Sequence, residues 1–294
     1  MEIVFIALLA GLSGMLGWGI SDFFAKKTID RVGDLKTLIG SQVIGGFLLL
    51  LYFVLTGFSI PSITIKIFVY LVALAALDGA GYLLLYRAFE KGIMSIVSPI
   101  ASSAAGFSVI VAIFLFRERL SITDFIGVVL IFLGILITST DFNNLKGSLS
   151  RKTLSKGIPE ALGVMILIGL WFPLWDRFVE GKEWLFWLIL LKFVMSALLC
   201  LYFFFSHRGK SLLRGYKSVF FILIPVAFLD ALAYLGTTWG YSVTSNTTSL
   251  ITVLANAYSL PTIILAYFLL KERVSKTQLL GIGSILMGIL VSSV

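Results

Sequence analysis

The chain of 294 residues is too apolar for an ordinary water-soluble protein, with 59% hydrophobic residues, 13% charged residues and a mean hydropathy of +1.04. A single cysteine, Cys200, and a single histidine, His207, exclude an intramolecular disulfide and argue against Cys- or His-based metal and catalytic sites. The net charge of +8 indicates basic loops at an anionic membrane surface. It does not indicate a nucleic-acid surface, because the basic loops are short and lack interleaved aromatic residues.

Ten apolar segments of about the length that crosses a bilayer follow one another along the chain. We predict spans at 2–25, 36–57, 66–89, 93–116, 121–140, 157–178, 184–206, 216–242, 246–270 and 275–293. The first segment lacks a preceding basic region, so we expect it to be retained as a helix. Residues 141–156 are polar and basic, and form the predicted linker between a first unit, 1–140, and a second, 157–294.

The second half of the chain repeats the first. Residues 116–120, FRERL, return as LKERV at 270–274, and Gly127 in the following segment returns as Gly281, 154 positions on. Each half holds five predicted spans, an odd number, so the halves insert in opposite orientations. The sequence therefore predicts an all-α integral membrane protein with two inverted five-helix repeats around a central cavity, a construction used by transporters.

The distribution of basic residues gives one indication of orientation. Loops after odd-numbered spans hold 17 of the 23 Lys and Arg residues. The positive-inside rule then places these loops in the cytoplasm and both termini outside.

Three charged residues lie deep inside predicted spans, away from the span ends: Asp78, Asp230 and Lys192. A charge near the bilayer midplane costs roughly 3 kcal/mol on insertion scales, so such a residue lines a cavity or has a partner. Asp78 and Asp230 are equivalent in the two repeats, and each precedes a tyrosine by one helical turn, Tyr82 and Tyr234. We expect the pair to face a shared cavity and to exchange protons. The alternative is that each Asp only satisfies a local helix–helix hydrogen bond.

Lys192 is equivalent to Gln42, 150 positions earlier. A buried lysine here is expected to pair with Asp230 or Asp78, or to bind a substrate carboxylate. The alternative is an ion pair that only holds helices together.

A second acidic pair, Asp22 and Asp176, lies at the predicted ends of spans one and six, close to Trp18 and Trp175. Tryptophan beside a carboxylate can bind organic cations or stack on planar substrates. The more economical interpretation is an interfacial aromatic belt with a solvated terminal Asp.

Polar groups also recur in spans four and nine, where Ser102 is equivalent to Asn256. We treat both as candidate hydrogen-bonding groups of the cavity, and Pro99 as a position for a kink. Close helix packing through Ser102 and Gly106 is the alternative. Glu118, between two arginines, is interpreted as helix-end charge.

These motifs together resemble the EamA family of the drug/metabolite transporter superfamily: an opening helix with Gly17-Trp18-Gly19-Ile20-Ser21, and a closing Arg-Glu-Arg-Leu before a Gly-spaced span. The resemblance covers about 3–140 and 157–293. It implies ten helices around a substrate cavity, alternating access, and export or exchange of small metabolites. Family members usually have cytoplasmic termini, against the charge count, so the sequence leaves the orientation open.

The expected function is a multi-pass secondary transporter of the cell (inner) membrane for small metabolites such as amino acids or amphiphilic compounds, with proton coupling as one alternative. A uniporter and a non-transporting scaffold are the others. The sequence holds no phosphate-binding loop, metal-ligand cluster or Ser-His-Asp set, so we expect no enzyme activity, no cofactor and no metal. Expected partners are a small-molecule substrate and the lipid bilayer, without nucleic acid, for a monomer or homodimer.

Overall fold

The computed structural model describes residues 2–57, 59–92, 94–139, 156–207, 211–244, 247–270 and 276–292, and every regular element in these ranges is α-helical. The helices are α1 (Glu2–Val32), α2 (Asp34–Thr56), α3 (Ile65–Lys91), α4 (Met94–Ser102), α5 (Ala104–Phe116), α6 (Ile122–Ser139), α7 (Ile158–Val179), α8 (Trp184–Ser206), α9 (Tyr216–Val243), α10 (Thr248–Asn256), α11 (Ser259–Leu270) and α12 (Lys276–Ser292). Nearly all of the predicted linker 141–156 lies outside the described residues.

Six helices, α1, α2, α3, α7, α8 and α9, are long and apolar enough to cross a membrane. Large apolar side chains cover the outer surface, including Phe47 of α2, Phe114 of α5 and Phe221 of α9. Charged and polar side chains such as Asp78 and Lys192 are buried inside instead. This distribution, apolar outside and polar within, is that of a protein whose surface faces lipid.

The helix α1 is longer than predicted, because it continues past the apolar segment through a charged stretch. Lys26 and Asp30 form an i, i+4 ion pair at 2.6 Å, which supports the helix beyond the apolar residues. The helix ends before Gly33, whose φ of +90° suits glycine in the one-residue turn to α2. Asp22, predicted at the end of span one, therefore lies inside α1 and is followed by ten more helical residues.

Predicted spans four and nine are each broken into two helices. The break lies at Ser103 in the first repeat and at Ala257–Tyr258 in the second, directly after the equivalent residues Ser102 and Asn256. Backbone hydrogen bonds from Ser103 to Ile100 and from Ala257 to Leu254 tighten the chain at the two breaks, and discontinuous helices at equivalent places in two repeats are a feature of transporters.

The repeats pack on each other in a reciprocal way: α1 contacts α9, whereas its equivalent α7 contacts α3. The closing helices α6 and α12 cross at glycines. A Cβ on Gly134 would lie 2.7 Å from the Gly281 carbonyl, and one on Gly288 would lie 2.7 Å from the Gly127 carbonyl. Small residues such as glycine allow membrane helices to approach each other this closely.

Candidate functional site

A hydrogen-bonded network around Asp230 lies where the two repeats meet. The Lys192 ammonium donates to Asp230 Oδ2 at 2.8 Å and to its own repeat equivalent, Gln42, at Oε1 at 2.6 Å. The Gln42 amide donates to the same Asp230 oxygen at 3.3 Å. Tyr82 donates to Asp230 Oδ1 at 3.3 Å. Asp230 therefore has a counter-charge and two neutral donors, and is only 2% exposed.

Asp78 has a different environment although it is the repeat equivalent of Asp230. Tyr234 donates to Asp78 Oδ2 at 2.7 Å, while Oδ1 is buried without a hydrogen-bond partner among the described residues. The Lys192 ammonium lies 3.4 Å from the centre of the Tyr234 ring, a cation–π contact. Each tyrosine thus donates a hydrogen bond to the Asp of the opposite repeat and not to the Asp one turn before it in its own helix.

A narrow cavity of about 30 Å³ lies beside this network. Its walls come from α1, α3, α4, α7, α9 and the α10–α11 break, the elements that correspond to spans one, three, four, six, eight and nine. The lining residues are Trp18, Asp22, Asp78, Tyr82, Leu85, Ala101, Val164, Ile168, Trp171, Phe172, Tyr234, Asn256 and Tyr258.

Several sequence-predicted residues do meet at this cavity. Asp78, Tyr82, Tyr234, Trp18 and Asn256 all line it. Asn256 also donates to the Thr252 carbonyl at 2.9 Å, in the last turn of α10.

Other sequence-predicted residues lie behind the cavity wall. Asp230, Lys192 and Gln42 form the network described above and are not among the lining residues. Ser102 is fully buried next to the lining residue Ala101. Trp175 is also fully buried.

Trp175 is a packing residue of the bundle in this conformation. It stacks on Trp171 at 5.6 Å and on Phe178 at 5.5 Å between ring centres, and its indole N–H donates to Thr238 at 3.0 Å. The cavity is lined by Trp171, one turn earlier in α7, so the aromatic wall predicted at 175 lies at 171.

Asp22 is the main residue that the sequence-based prediction undervalued. The side chain is 3% exposed and lines the cavity, and is not solvated at a helix end. The equivalent residue of the second repeat, Asp176, lies in a separate pocket with Glu118 and accepts a hydrogen bond from Thr248. The sequence indicated that the helix continues past Asp22, because no Gly or Pro lies between Asp22 and Gly33.

Glu118 lies just after the end of α5, as predicted for a helix-end charge, but its side chain is buried. Its carboxylate accepts hydrogen bonds from the Ser249 amide at 3.0 Å and from the Ser249 hydroxyl at 2.6 Å, and so caps the first turn of α10. Burial raises the pKa of Glu118, while the bonds from Ser249 oppose this rise. The equivalent Glu272 lies outside the described residues.

Comparison with known proteins places this architecture in a family. The model of the EamA-like transporter family matches the chain twice, at residues 5–140 and 155–294. The chain belongs to the EamA-like transporter family. The resemblance predicted from the sequence motifs is confirmed, and the protein is a transporter-family member with several membrane-type helices.

Two further similarities agree with this membership. An uncharacterised protein of Methanocaldococcus jannaschii is 33% identical over 133 residues, which are 45% of this chain and 96% of the relative. That relative has about half the length of this EamA-family chain, the size of one repeat. A crystal structure matches with a TM-score of 0.77 over 98% of this chain and 96% of its own, at 14% identity, which shows a shared fold.

Proposed function

We propose that this EamA-family protein is a proton-coupled secondary transporter of small metabolites, an exporter or exchanger that works by alternating access. The observation that carries the proposal is the cavity between the two repeats, which contains the buried carboxyl of Asp78, one oxygen of which has no hydrogen-bond partner among the described residues. A carboxyl in such a place can take up and release a proton during a transport cycle.

The proposed architecture has ten transmembrane helices in two inverted repeats, 1–140 and 157–294, in the cell (inner) membrane. Each broken span, α4 with α5 and α10 with α11, counts as one crossing. Loops after odd-numbered spans face the cytoplasm, as the charge count favours. The reciprocal packing of α1 on α9 and α7 on α3 supports rocking of one repeat against the other.

The proposed roles follow from the contacts. Asp78 carries the coupling proton, and Trp18, Tyr82 and Tyr234 form the walls that contact the substrate. Lys192 and Gln42 hold Asp230, which positions Tyr82 through the bond at 3.3 Å. Ser102 and Asn256 mark the breaks at which the bundle changes shape, and Trp175 supports the wall residue Trp171.

The test is uptake of a mixed metabolite pool into proteoliposomes, with and without an imposed pH gradient. We expect gradient-driven accumulation in the wild type and its loss in Asp78→Asn. A matched control is Asp30→Asn, because Asp30 is exposed and pairs only with Lys26 of the same helix among the described residues.

Each contrary outcome has a distinct meaning. Unchanged accumulation in Asp78→Asn would remove Asp78 from the coupling mechanism. Equilibration that ignores the gradient would identify a uniporter. Absence of any flux from protein shown to be folded would leave a membrane scaffold.

A further inference from the structure

We propose that the cavity between the repeats is a water site, which holds about two ordered water molecules when the bundle is closed, and that these waters take the place of the substrate when the transporter returns unloaded. This role rests on the proposed transport function and names what occupies the same site between two rounds of transport. The size of the cavity and the polar atoms of its walls support it.

The cavity is small, and each of its lining residues is buried. Its volume is about 30 Å³. One water molecule takes about 10–15 Å³ of such a space, so about two fit. An amino acid or a larger metabolite does not fit unless the walls move apart. In this conformation the cavity therefore has the size of a water site.

Polar atoms of three lining residues need hydrogen-bond partners. Asp78 Oδ1 and the indole N–H groups of Trp18 and Trp171 are buried without such partners among the described residues, and all three side chains line the cavity. Buried polar groups are normally paired, either with protein groups or with ordered water. Water in the cavity gives each of these atoms a partner.

The same three residues share one neighbour, Tyr234. Trp18 and Trp171 pack edge-on against its ring at 5.4 Å and 5.7 Å between ring centres. The Tyr234 hydroxyl donates to the other oxygen of Asp78 at 2.7 Å. The carboxyl and the two indoles are thus grouped around a single side chain, an arrangement that bridging waters can join.

The unpaired atoms include both kinds of hydrogen-bonding group, which favours water over an ion. Asp78 Oδ1 accepts a hydrogen bond, whereas an indole N–H only donates. A metal cation cannot bind an indole N–H. An inorganic anion would lie beside Asp22 and Asp78, which form no ion pair with any described residue. Water donates and accepts at once, so it can bridge an indole to the carboxyl.

A closed conformation filled with water has a consequence for the transport cycle. An obligatory exchanger closes only with substrate in its site, so it cannot return unloaded. A carrier whose buried polar atoms are paired with water can close without substrate and return in that form. Of the two modes in the proposed function, exporter and exchanger, we therefore expect the exporter.

The water site is tested by hydroxyl-radical footprinting of the purified full-length protein with short X-ray pulses. The pulses convert bound water into radicals that oxidise the side chains beside it, and mass spectrometry measures the rate at each residue. A bulky scavenger in the solvent removes radicals of bulk water only. With the scavenger present, we expect Trp18 and Trp171 to be oxidised roughly tenfold faster than Trp187, or more, because only they adjoin bound water.

Trp187 is the matched control. Its indole N–H is also buried without a partner among the described residues, and its side chain is 1% exposed, against 5% for Trp18 and 2% for Trp171. Trp187 packs against Phe178 and Phe186 and does not line the cavity. Equal oxidation of the three tryptophans, or its loss from Trp18 and Trp171 when the scavenger is added, would overturn the water site.

Two variants change the site itself. Ala101→Val enlarges a side chain of the cavity wall, so it should expel water and lower the oxidation of Trp18 and Trp171 severalfold. Trp171→Phe keeps an aromatic ring but removes one N–H, so the oxidation of Trp18 should fall in this variant too. Circular dichroism checks that each variant is folded. Unchanged oxidation of Trp18 in either folded variant would contradict bound water in the cavity.

The unloaded return is tested separately, with proteoliposomes that contain the mixed metabolite pool. We expect release into a buffer without metabolites, because the carrier can return with water in its site. Release that requires the same pool outside would reject the unloaded return and retain the transporter. Absence of release into both buffers, from protein shown to be folded, would reject transport and the unloaded return together, while the footprint still decides the water site.

Discussion

The ion pair between Lys192 and Asp230 permits a quantitative test of how the interior is held together. The side chains are 0% and 2% exposed, and their charged atoms lie 2.8 Å apart. Removing one partner of a buried pair leaves the other charge uncompensated, at a cost of about 3–5 kcal/mol. We expect Asp230→Asn to lower the free energy of unfolding by an amount in this range, because the ammonium then has no described counter-charge within ion-pair distance.

The reciprocal variant should cost a similar amount. In Lys192→Met, the Asp230 carboxylate still accepts bonds from Gln42 and Tyr82, both at 3.3 Å, just as the ammonium in Asp230→Asn can still donate to Gln42. Each variant leaves one buried charge without its counter-charge. The double variant Lys192→Met/Asp230→Asn removes both charges, and we expect it to be more stable than Asp230→Asn alone, with a coupling energy of roughly 2 kcal/mol or more.

The assay is reversible unfolding in mixed micelles with increasing sodium dodecyl sulfate, followed by circular dichroism. The matched control is Lys91→Met, which breaks an exposed pair with Glu160 whose lysine is 53% exposed. That pair should contribute less than about 1 kcal/mol. The reasoning is refuted when Asp230→Asn is no more destabilising than Lys91→Met, or when the double variant shows simple additivity.

Two further predictions concern the ends of the repeats. Gly134→Ala places a Cβ 2.7 Å from the Gly281 carbonyl, so it should cost about 1–3 kcal/mol of unfolding free energy in the same assay, whereas Gly283→Ala, with no atom within 4 Å, should cost almost nothing. Equal losses in the two variants would contradict the close crossing of α6 and α12. Because burial raises the pKa of Glu118, the folded protein binds this proton more tightly than the unfolded chain, and the Glu118 contribution should decline as pH rises above about 4.5. Glu118→Gln should flatten this part of the pH–stability curve, and parallel curves for variant and wild type would refute the assignment.

Much of the fold follows from hydropathy and repetition in the sequence. The limits of α2, α3, α7, α8 and α9 lie within about two residues of the predicted spans, because a charge or turn residue ends each apolar run. The extension of α1 was not predicted, since charged residues end a membrane span without ending a helix. The breaks in spans four and nine were anticipated only as a kink at Pro99, whereas the first break lies at Ser103.

The carboxylates of the site could be predicted as a class, but not in their individual roles. The free-energy cost of placing a charge in the hydrocarbon region by itself indicates that Asp78, Asp230 and Lys192 face the interior of the helix bundle. Which Asp receives the lysine depends on side-chain reach between helices, which the spacing along the chain does not determine. The crossed bonds of Tyr82 to Asp230 and Tyr234 to Asp78 depend on the same geometry.

The repeats contain equivalent acidic residues, but the structure gives them unequal environments. Asp78 and Asp22, both from the first repeat, face the cavity, whereas Asp230 is neutralised by Lys192 and Asp176 is bonded to Thr248 in another pocket. Lys192 and its equivalent Gln42 both donate to Asp230, so the hydrogen bonding around the Asp pair is asymmetric.

As a result, the carboxyl groups that line the cavity and much of its apolar wall come from different halves of the chain. The first repeat supplies Asp22 and Asp78, which form no ion pair with any described residue, while the second supplies much of the apolar and aromatic wall, including Trp171 and Phe172. Motion of one repeat against the other would therefore change the distance between the carboxyls and the rings. A ligand held by both would be bound well in some conformations of the bundle and poorly in others, which is the thermodynamic requirement for moving it by alternating access.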